Sequence, residues 1–168
     1  MAVDWARAGR AARRKEKVKL IMAGIIAILL SSSAMERTLI ASARVVLVES
    51  QLKRPFVTAS GRRERTANAA VRLRLRGGAE GYGEASTSIA QKHLGAPALC
   101  RALKSLSRRA LGRDARAWRA LVDDAWALRG NLSPAVAAFE AALLSALAAE
   151  AGTDLAGWLG GASRRLET

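Results

Sequence analysis

Cysteine and histidine are almost absent from this 168-residue chain: there is one of each, Cys100 and His93. A single thiol cannot close an internal disulfide, so nothing points to a disulfide-stabilised secreted domain. The same scarcity excludes a Cys/His zinc site. Aromatic residues make up only 4%, and they are not interleaved with basic residues as in single-strand nucleic-acid binders. Acids are few, 14 against 28 lysines and arginines, for a net charge of +14. Asp123-Asp124 is an adjacent carboxylate pair, but neighbours on a helix point to different faces, which suits a solvated surface. No G-x-S-x-G elbow, phosphate-binding P-loop or H-E-x-x-H occurs. The apolar run Leu20–Leu30 has eleven residues, short of the roughly 20 that span a bilayer.

What is present begins with Ala69 to Ala85, A-A-V-R-L-R-L-R-G-G-A-E-G-Y-G-E-A. Val71, Leu73 and Leu75 alternate with Arg72, Arg74 and Arg76, the period of a strand with one buried and one wet face. Gly77-Gly78 supplies the positive φ of a tight turn. A second short strand, Glu80 to Glu84, follows and carries Tyr82 between two glycines. Upstream, Thr38 to Glu49 holds the β-branched run Val45-Val46-Leu47-Val48 and reads as the first strand. Gln51 to Glu64 contains Pro55 and Gly61 and reads as a long polar connection, too long for a hairpin turn. Arg65 to Arg76 is the second strand.

After a Ser/Thr-rich loop, Ala85 to Ala96, the period changes to that of helices. Pro97 suits a first helical turn. Leu99, Leu103, Leu106 and Ala110 form one apolar stripe ending at Gly112. Cys100, beside Leu99 and Leu103, reads as a core residue rather than a nucleophile. Asp114 is a cap for the next helix, whose face is Trp118, Leu121, Val122 and Ala125; Gly130 closes it. Ser133 is a candidate N-cap, with Pro134 in the first turn and Val136, Phe139, Leu143 and Leu147 as the stripe. Glu140 beside it reads as a surface or packing residue. Gly152 ends this helix, and Leu155, Trp158 and Leu159 form a short apolar segment. Three strands and then three helices make an α+β domain: a three-stranded antiparallel meander with a three-helix layer.

Residues 1–34 form a basic and then apolar leader, with seven basic residues among the first nineteen. They read as a signal-like segment ending at the small residues Ser32 and Ala34, or as a stretch upstream of a true start at Met35. The first reading makes the protein exported or membrane-tethered, the second cytoplasmic. Removing 1–34 takes away seven basic and two acidic residues and leaves the body at +9. Such a charge fits either a solvated basic surface or a small basic adaptor on an anionic surface or nucleic acid, tethered through residues 20–30.

The candidate chemistry is sparse. His93 in the loop has no visible acid/base partner. Gly81-Tyr82-Gly83-Glu84 is half of a glycine-rich nucleotide loop, but it lies in a hairpin and not between a strand and a helix. Glu64, Glu80 and Glu84 are spaced acids with no evident metal cage.

Taken in order, R-P-F-V-T-A-S-G (54–61), the A-A-V-R-L-R-L-R-G-G-A-E-G-Y-G-E-A hairpin, L-G-R-D (111–114), S-P-A-V-A-A-F-E-A-A-L-L-S-A-L (133–147) and G-W-L-G-G-A (157–162) resemble one known pattern. It is that of the N-terminal capping domain of the enolase superfamily, in the mandelate racemase/muconate lactonizing enzyme branch. Arg54-Pro55-Phe56 and Thr58 look like the dipeptide epimerases within that branch. Two positions depart from the pattern: Ser145 stands where relatives usually carry Asp, and Ser86-Thr87-Ser88 lacks the usual proline.

The resemblance implies a capping domain over residues 35–162, with 163–168 beginning a linker to a barrel. In such enzymes two loops, here about Leu52–Glu64 and Ala85–Gly95, close over the mouth of a modified TIM barrel. Their substrate-facing residues would be Arg54, Phe56, Thr58, Ser60, Ser86, Ile89 and His93. The acid/base lysines and the carboxylates that hold Mg2+ lie in the barrel. This chain would therefore supply no catalytic group and no metal ligand, and would act as a fragment of an isomerase. Its implied partners are the TIM barrel, from the same gene or in trans, and a small substrate such as a dipeptide, with no nucleic acid. Phe56, Val57, Ile89 and Leu94 would be left uncovered without the barrel and favour self-association.

Overall fold

The computed structural model describes residues 19, 21–22, 35–88 and 94–161. The chain divides into two compact units, Met1–Glu36 and Arg37–Thr168. Within the first, residues 19, 21–22 and 35–36 are helical. The expected leader otherwise lies outside the described residues, as do 162–168.

The second unit is the expected α+β domain. Its sheet has the order β1-β2-β3, with β1 Ile40–Thr58, β2 Gly61–Leu75 and β3 Glu80–Ala85, both pairings antiparallel. Three helices follow: α1 Ala96–Ala110, α2 Trp118–Arg129 and α3 Ser133–Glu150, then the single turn α4 Leu155–Trp158. Val71, Leu73 and Leu75 are buried and Arg72, Arg74 and Arg76 exposed, the alternation the sequence displays. Gly78 takes φ +99 in the turn, and its N–H donates to the Leu75 carbonyl at 3.0 Å.

The largest correction concerns Gln51 to Glu64. This stretch is not a loop. β1 and β2 run on as one long hairpin that closes at Thr58↔Gly61 through a two-residue turn, Ala59-Ser60. The register slips between Gln51↔Arg65 and Phe56↔Arg63. Pro55 lies in that slip. A proline cannot donate to the ladder, and an irregularity is where a strand tolerates one. Pro55 therefore bulges the strand without ending it. Gly61 takes φ +141 and closes the turn.

Helix α3 is apolar nearly all round because neighbours cover most of its circumference. It packs on β3, β2, α1 and α2. Its Ala138, Ala142 and Ala146 face β3 at spacings of four, so the two backbones come close. A Cβ at Gly81 would collide with the Ala142 carbonyl oxygen and the Ala146 backbone nitrogen. A Cβ at Gly83 would collide with the Ala138 carbonyl oxygen. The glycines of G-Y-G-E-A are thus a packing seam and not part of a nucleotide loop. Tyr82 between them faces the open side of the sheet and donates to Glu80 Oε2 at 2.7 Å.

Two helix starts show different capping. Asp114 caps the short 3-10 turn Ala115–Ala117 that leads into α2, accepting the Arg116 N–H at 3.0 Å. Ser133 does not cap α3. The 3-10 turn Gly130–Leu132 runs straight into α3, so Ser133 is already helical at φ −46, ψ −38. The cap position falls to Leu132, which makes no side-chain cap.

Thr38 to Ile40 is held between β2 and the α1–α2 connection. The Arg76 and Gly77 N–H groups donate to the Leu39 and Arg37 carbonyls, and Ala115 N–H to the Thr38 carbonyl at 3.0 Å. Thr38 also donates its hydroxyl to Asp114 Oδ1 at 2.8 Å. Burial disfavours the Asp114 charge. The Arg116 guanidinium, the Arg116 N–H and the Thr38 hydroxyl outweigh that and hold the carboxyl below its ordinary range.

Candidate functional site

The distal arm of the β1–β2 hairpin and the segment after β3 enclose a hollow of about 700 Å3. Its wall on the arm is formed by Leu52, Arg54, Pro55, Phe56, Thr58 and Ser60. Arg63, Thr66, Thr87 and Ser88 complete it. Four residues singled out in the sequence, Arg54, Phe56, Thr58 and Ser60, therefore meet at one place. Ser86 is exposed and lies outside the lining. Ile89 and His93 lie outside the described residues.

The register slip at Pro55 gives this arm its shape. Phe56 and Val57 beyond it are 57% and 65% exposed. Leu94, expected to be uncovered with them, is instead buried at 7%; the turn into α1 tucks it against the fold. Thr58 works within the turn, its Oγ1 accepting the Ser60 N–H at 3.3 Å. Arg54 is exposed and makes no ion pair or hydrogen bond among the described residues.

Two residues that sequence reading missed hold the hollow together. Arg63 Nη1 donates to the Thr87 carbonyl at 2.8 Å and to Thr87 Oγ1 at 3.0 Å. Thr87 in turn donates its hydroxyl to the Ala67 carbonyl at 3.0 Å and its N–H to Asn68 Oδ1 at 3.2 Å. Asn68 Nδ2 donates to Glu84 Oε1 at 2.6 Å. The chain leaving β3 is thereby clipped to β2. The only trace of this in sequence is a threonine in a loop and one arginine among many, with nothing to say that they meet.

Among the described residues the wall carries two guanidinium groups, one aromatic ring, several hydroxyls and no carboxylate. Arg63 is spent on Thr87, so among the described residues of the wall Arg54 is the unpaired cation. The site can receive an anionic group beside an apolar one. Among the described residues no group of three or more His, Cys, Asp or Glu could hold a metal ion. The three spaced acids are each engaged: Glu64 with Arg62 at 2.8 Å, Glu80 with Tyr82 and with Arg72 at 3.5 Å, Glu84 with Asn68. These residues do not fit the converging oxygens that Mg2+ requires. Asp123 and Asp124 are exposed, with Asp124 paired to Arg113 at 2.7 Å. Cys100 is half-buried against the core, its thiol 3.7 Å from the Val46 carbonyl.

No family model matches the chain, and no curated protein does. Solved structures do. A protein from Sorangium cellulosum described as a mandelate racemase/muconate lactonizing enzyme is 35% identical over 69% of this chain, with a TM-score of 0.60. A mandelate racemase/muconate lactonizing enzyme from Roseiflexus sp. is 31% identical over 79% of this chain, TM-score 0.62. A dipeptide epimerase from Cytophaga hutchinsonii, complexed with Mg and the dipeptide D-Ala-L-Val, is 24% identical over 76%, TM-score 0.70. The chain spans about a third of the length of each: 33%, 35% and 34%. The three-stranded meander with its helical layer thus recurs in these solved enzymes, and the chain carries a domain of the N-terminal type of the enolase superfamily, in its mandelate racemase/muconate lactonizing branch.

Proposed function

We propose that this domain is the capping and substrate-selecting part of a Mg-dependent isomerase of the dipeptide epimerase kind. The observation that carries the reading is the hollow itself. A hairpin arm and the Thr87–Ser88 segment, far apart in sequence, are clipped together beside the exposed Phe56 and Arg54, the latter without an ion pair among the described residues. An arm of that shape closes over a neighbouring mouth, excludes water and orients a substrate. Arg54 receives a carboxylate, and Phe56 covers the apolar part beside it. Proton transfer and Mg2+ chemistry would belong to a barrel domain, supplied by the same gene or in trans, where the metal would act as a Lewis acid. Relatives solved with Mg and a dipeptide support this.

A chimaera tests it. This domain, residues 35–162, replaces the corresponding part of the Cytophaga hutchinsonii dipeptide epimerase. The expected result is Mg-dependent epimerisation, with a selectivity shifted toward dipeptides that carry an extra carboxylate. Arg54→Gln should lower kcat/KM for those substrates by about tenfold, the loss of one charge-assisted contact, and leave neutral dipeptides unchanged. A folded chimaera inactive on every dipeptide would overturn the reading. Retention of the chain on duplex DNA at about 200 mM salt would favour the basic-adaptor alternative instead.

A further inference from the structure

The two edges of the sheet differ. β3 is six residues long and lies against α3, whereas β1 runs for nineteen. Leu75 directs its N–H to the Ala79 carbonyl, toward β3. Antiparallel pairing alternates the side to which the backbone groups point, so Leu73, Val71 and Ala69 turn theirs toward β3 as well. Their register partners on β1, Ala43, Val45 and Leu47, therefore aim N–H and C=O away from the sheet. Among the described residues no backbone group meets them there.

This open edge is bracketed and apolar at its centre. The ladder is regular over ten residues, Ser42 to Gln51, between the irregularity at Ile40/Ser42 and the slip around Pro55. In the middle, Val46, Leu47 and Val48 are all exposed, Leu47 by 45%. Val46 and Val48 lie on the open face of the sheet, Leu47 on the helix side opposite Ala69. Apolar surface is thus uncovered on both faces of one edge strand, with no charge or proline between Arg44 and Glu49. Edges are ordinarily guarded by charges, prolines or brevity, because a bare one is a template for another strand.

The pattern is also its own complement. A second copy running antiparallel, about a two-fold axis at Leu47, sets Leu47 beside its counterpart and Val46 beside the copy's Val48. Val45 falls beside Glu49, and Arg44 beside Ser50. No like charges lie opposite, and the charged residues fall at the ends of an apolar centre, as the rim and core of an isologous interface do.

We propose that two copies of this chain pair antiparallel along β1, joining their sheets into one of six strands. Ten residues a side is small against the roughly 20–30 of a standard interface, so the dimer comes apart on dilution. The joint is independent of the hollow at the hairpin arm and of the function proposed for it.

Sedimentation of the full chain over a range of concentrations tests this. The mass should rise from that of one chain to that of two, and at lower concentration when salt is added, because each copy carries +14 and salt screens the repulsion. Leu47→Lys puts two ammonium groups side by side on the axis and should leave the chain monomeric throughout. Its circular dichroism and melting temperature should match the parent's, since the site is exposed. Phe56→Ser, on the arm, should not change the dimer. The register is read by cross-linking, with Cys100, whose thiol lies 3.7 Å from the Val46 carbonyl, replaced by alanine. A mixture of Val46→Cys and Val48→Cys chains should form disulfides on mild oxidation several-fold faster than either chain alone. A monomer at every concentration, a dimer that survives Leu47→Lys or is lost with Phe56→Ser, or cross-linking no faster in the mixture would each overturn the proposal.

Discussion

The two ends of the long hairpin obey different rules. At its base, Ala69, Val71, Leu73 and Leu75 face α1 and α3 with side chains almost wholly buried. Beyond Gln51 the same two strands carry Arg54, Phe56 and Val57 into solvent. The ladder persists at both ends, yet only the base is covered. Backbone pairing alone holds a two-stranded arm only marginally; burial of one face makes a core. One element thus serves as both foundation and uncovered arm, and on β1 the exposure begins before the slip, with Val46, Leu47 and Val48 already 38%, 45% and 42% exposed.

The sharpest way to break the comparison is at the glycine seam. Gly83→Val forces a branched side chain into the Ala138 carbonyl of α3. Backbone is there and cannot yield, so a loss of about 3 kcal/mol or more is expected, at the severe end of overpacking. Urea denaturation should show a collapsed midpoint. A near-native midpoint would mean that α3 sits farther from β3 than described.

Next comes the register. Leu73→Thr deletes apolar volume and buries a hydroxyl at a site with no exposure, costing about 2–4 kcal/mol. Arg74→Thr on the open face should stay within about 0.5 kcal/mol of the parent. Thermal melts of the pair decide this, and the reverse order would move the sheet by one residue.

The Thr38–Asp114 clasp lies between the extremes. Asp114→Ala removes a cap and should cost about 1 kcal/mol. The sign of its pH dependence follows from the lowered carboxyl. A folded value below the unfolded one, about 3.9, favours the charged form in the native state. That stabilisation is present above the unfolded value and disappears as pH falls through the folded one. The parent should therefore lose its advantage over Asp114→Asn as the pH drops below about 4, while the difference stays constant near neutrality. Chemical denaturation across that range measures it.

The smallest stability effect belongs to the arm. Phe56→Ser should leave the melting temperature nearly unchanged, since exposed sites away from such features shift stability by about 0.5 kcal/mol or less. In the chimaera, by contrast, it should lower kcat/KM. A large drop in melting temperature would show that the arm is packed after all, and the two ends would no longer differ.

Much of this was legible in the residues. Alternating Val71, Leu73 and Leu75 with arginines fixed the orientation of β2, Gly77-Gly78 its turn, and the helical stripes of α1 and α2 their buried faces. These signals are local, and one buried face per element suffices to produce them. Pro55 misled for the opposite reason. Read alone, a proline and a glycine in a polar stretch mark a loop; across a partner strand, a slip in register absorbs the proline and the hairpin runs on. Ser133 looked like a cap because its neighbours suit one, but the preceding 3-10 turn had already begun the helix. The glycines of G-Y-G-E-A stood out in sequence, yet their reason, an alanine ridge some sixty residues later, exists only when α3 lies on β3. Arg63 and Thr87 likewise meet only through strand pairing. Periodicity and turn chemistry act through neighbours in the chain and are written there. Close backbone approach, strand register and the gathering of a site depend on residues distant in sequence, and only the folded chain brings those together.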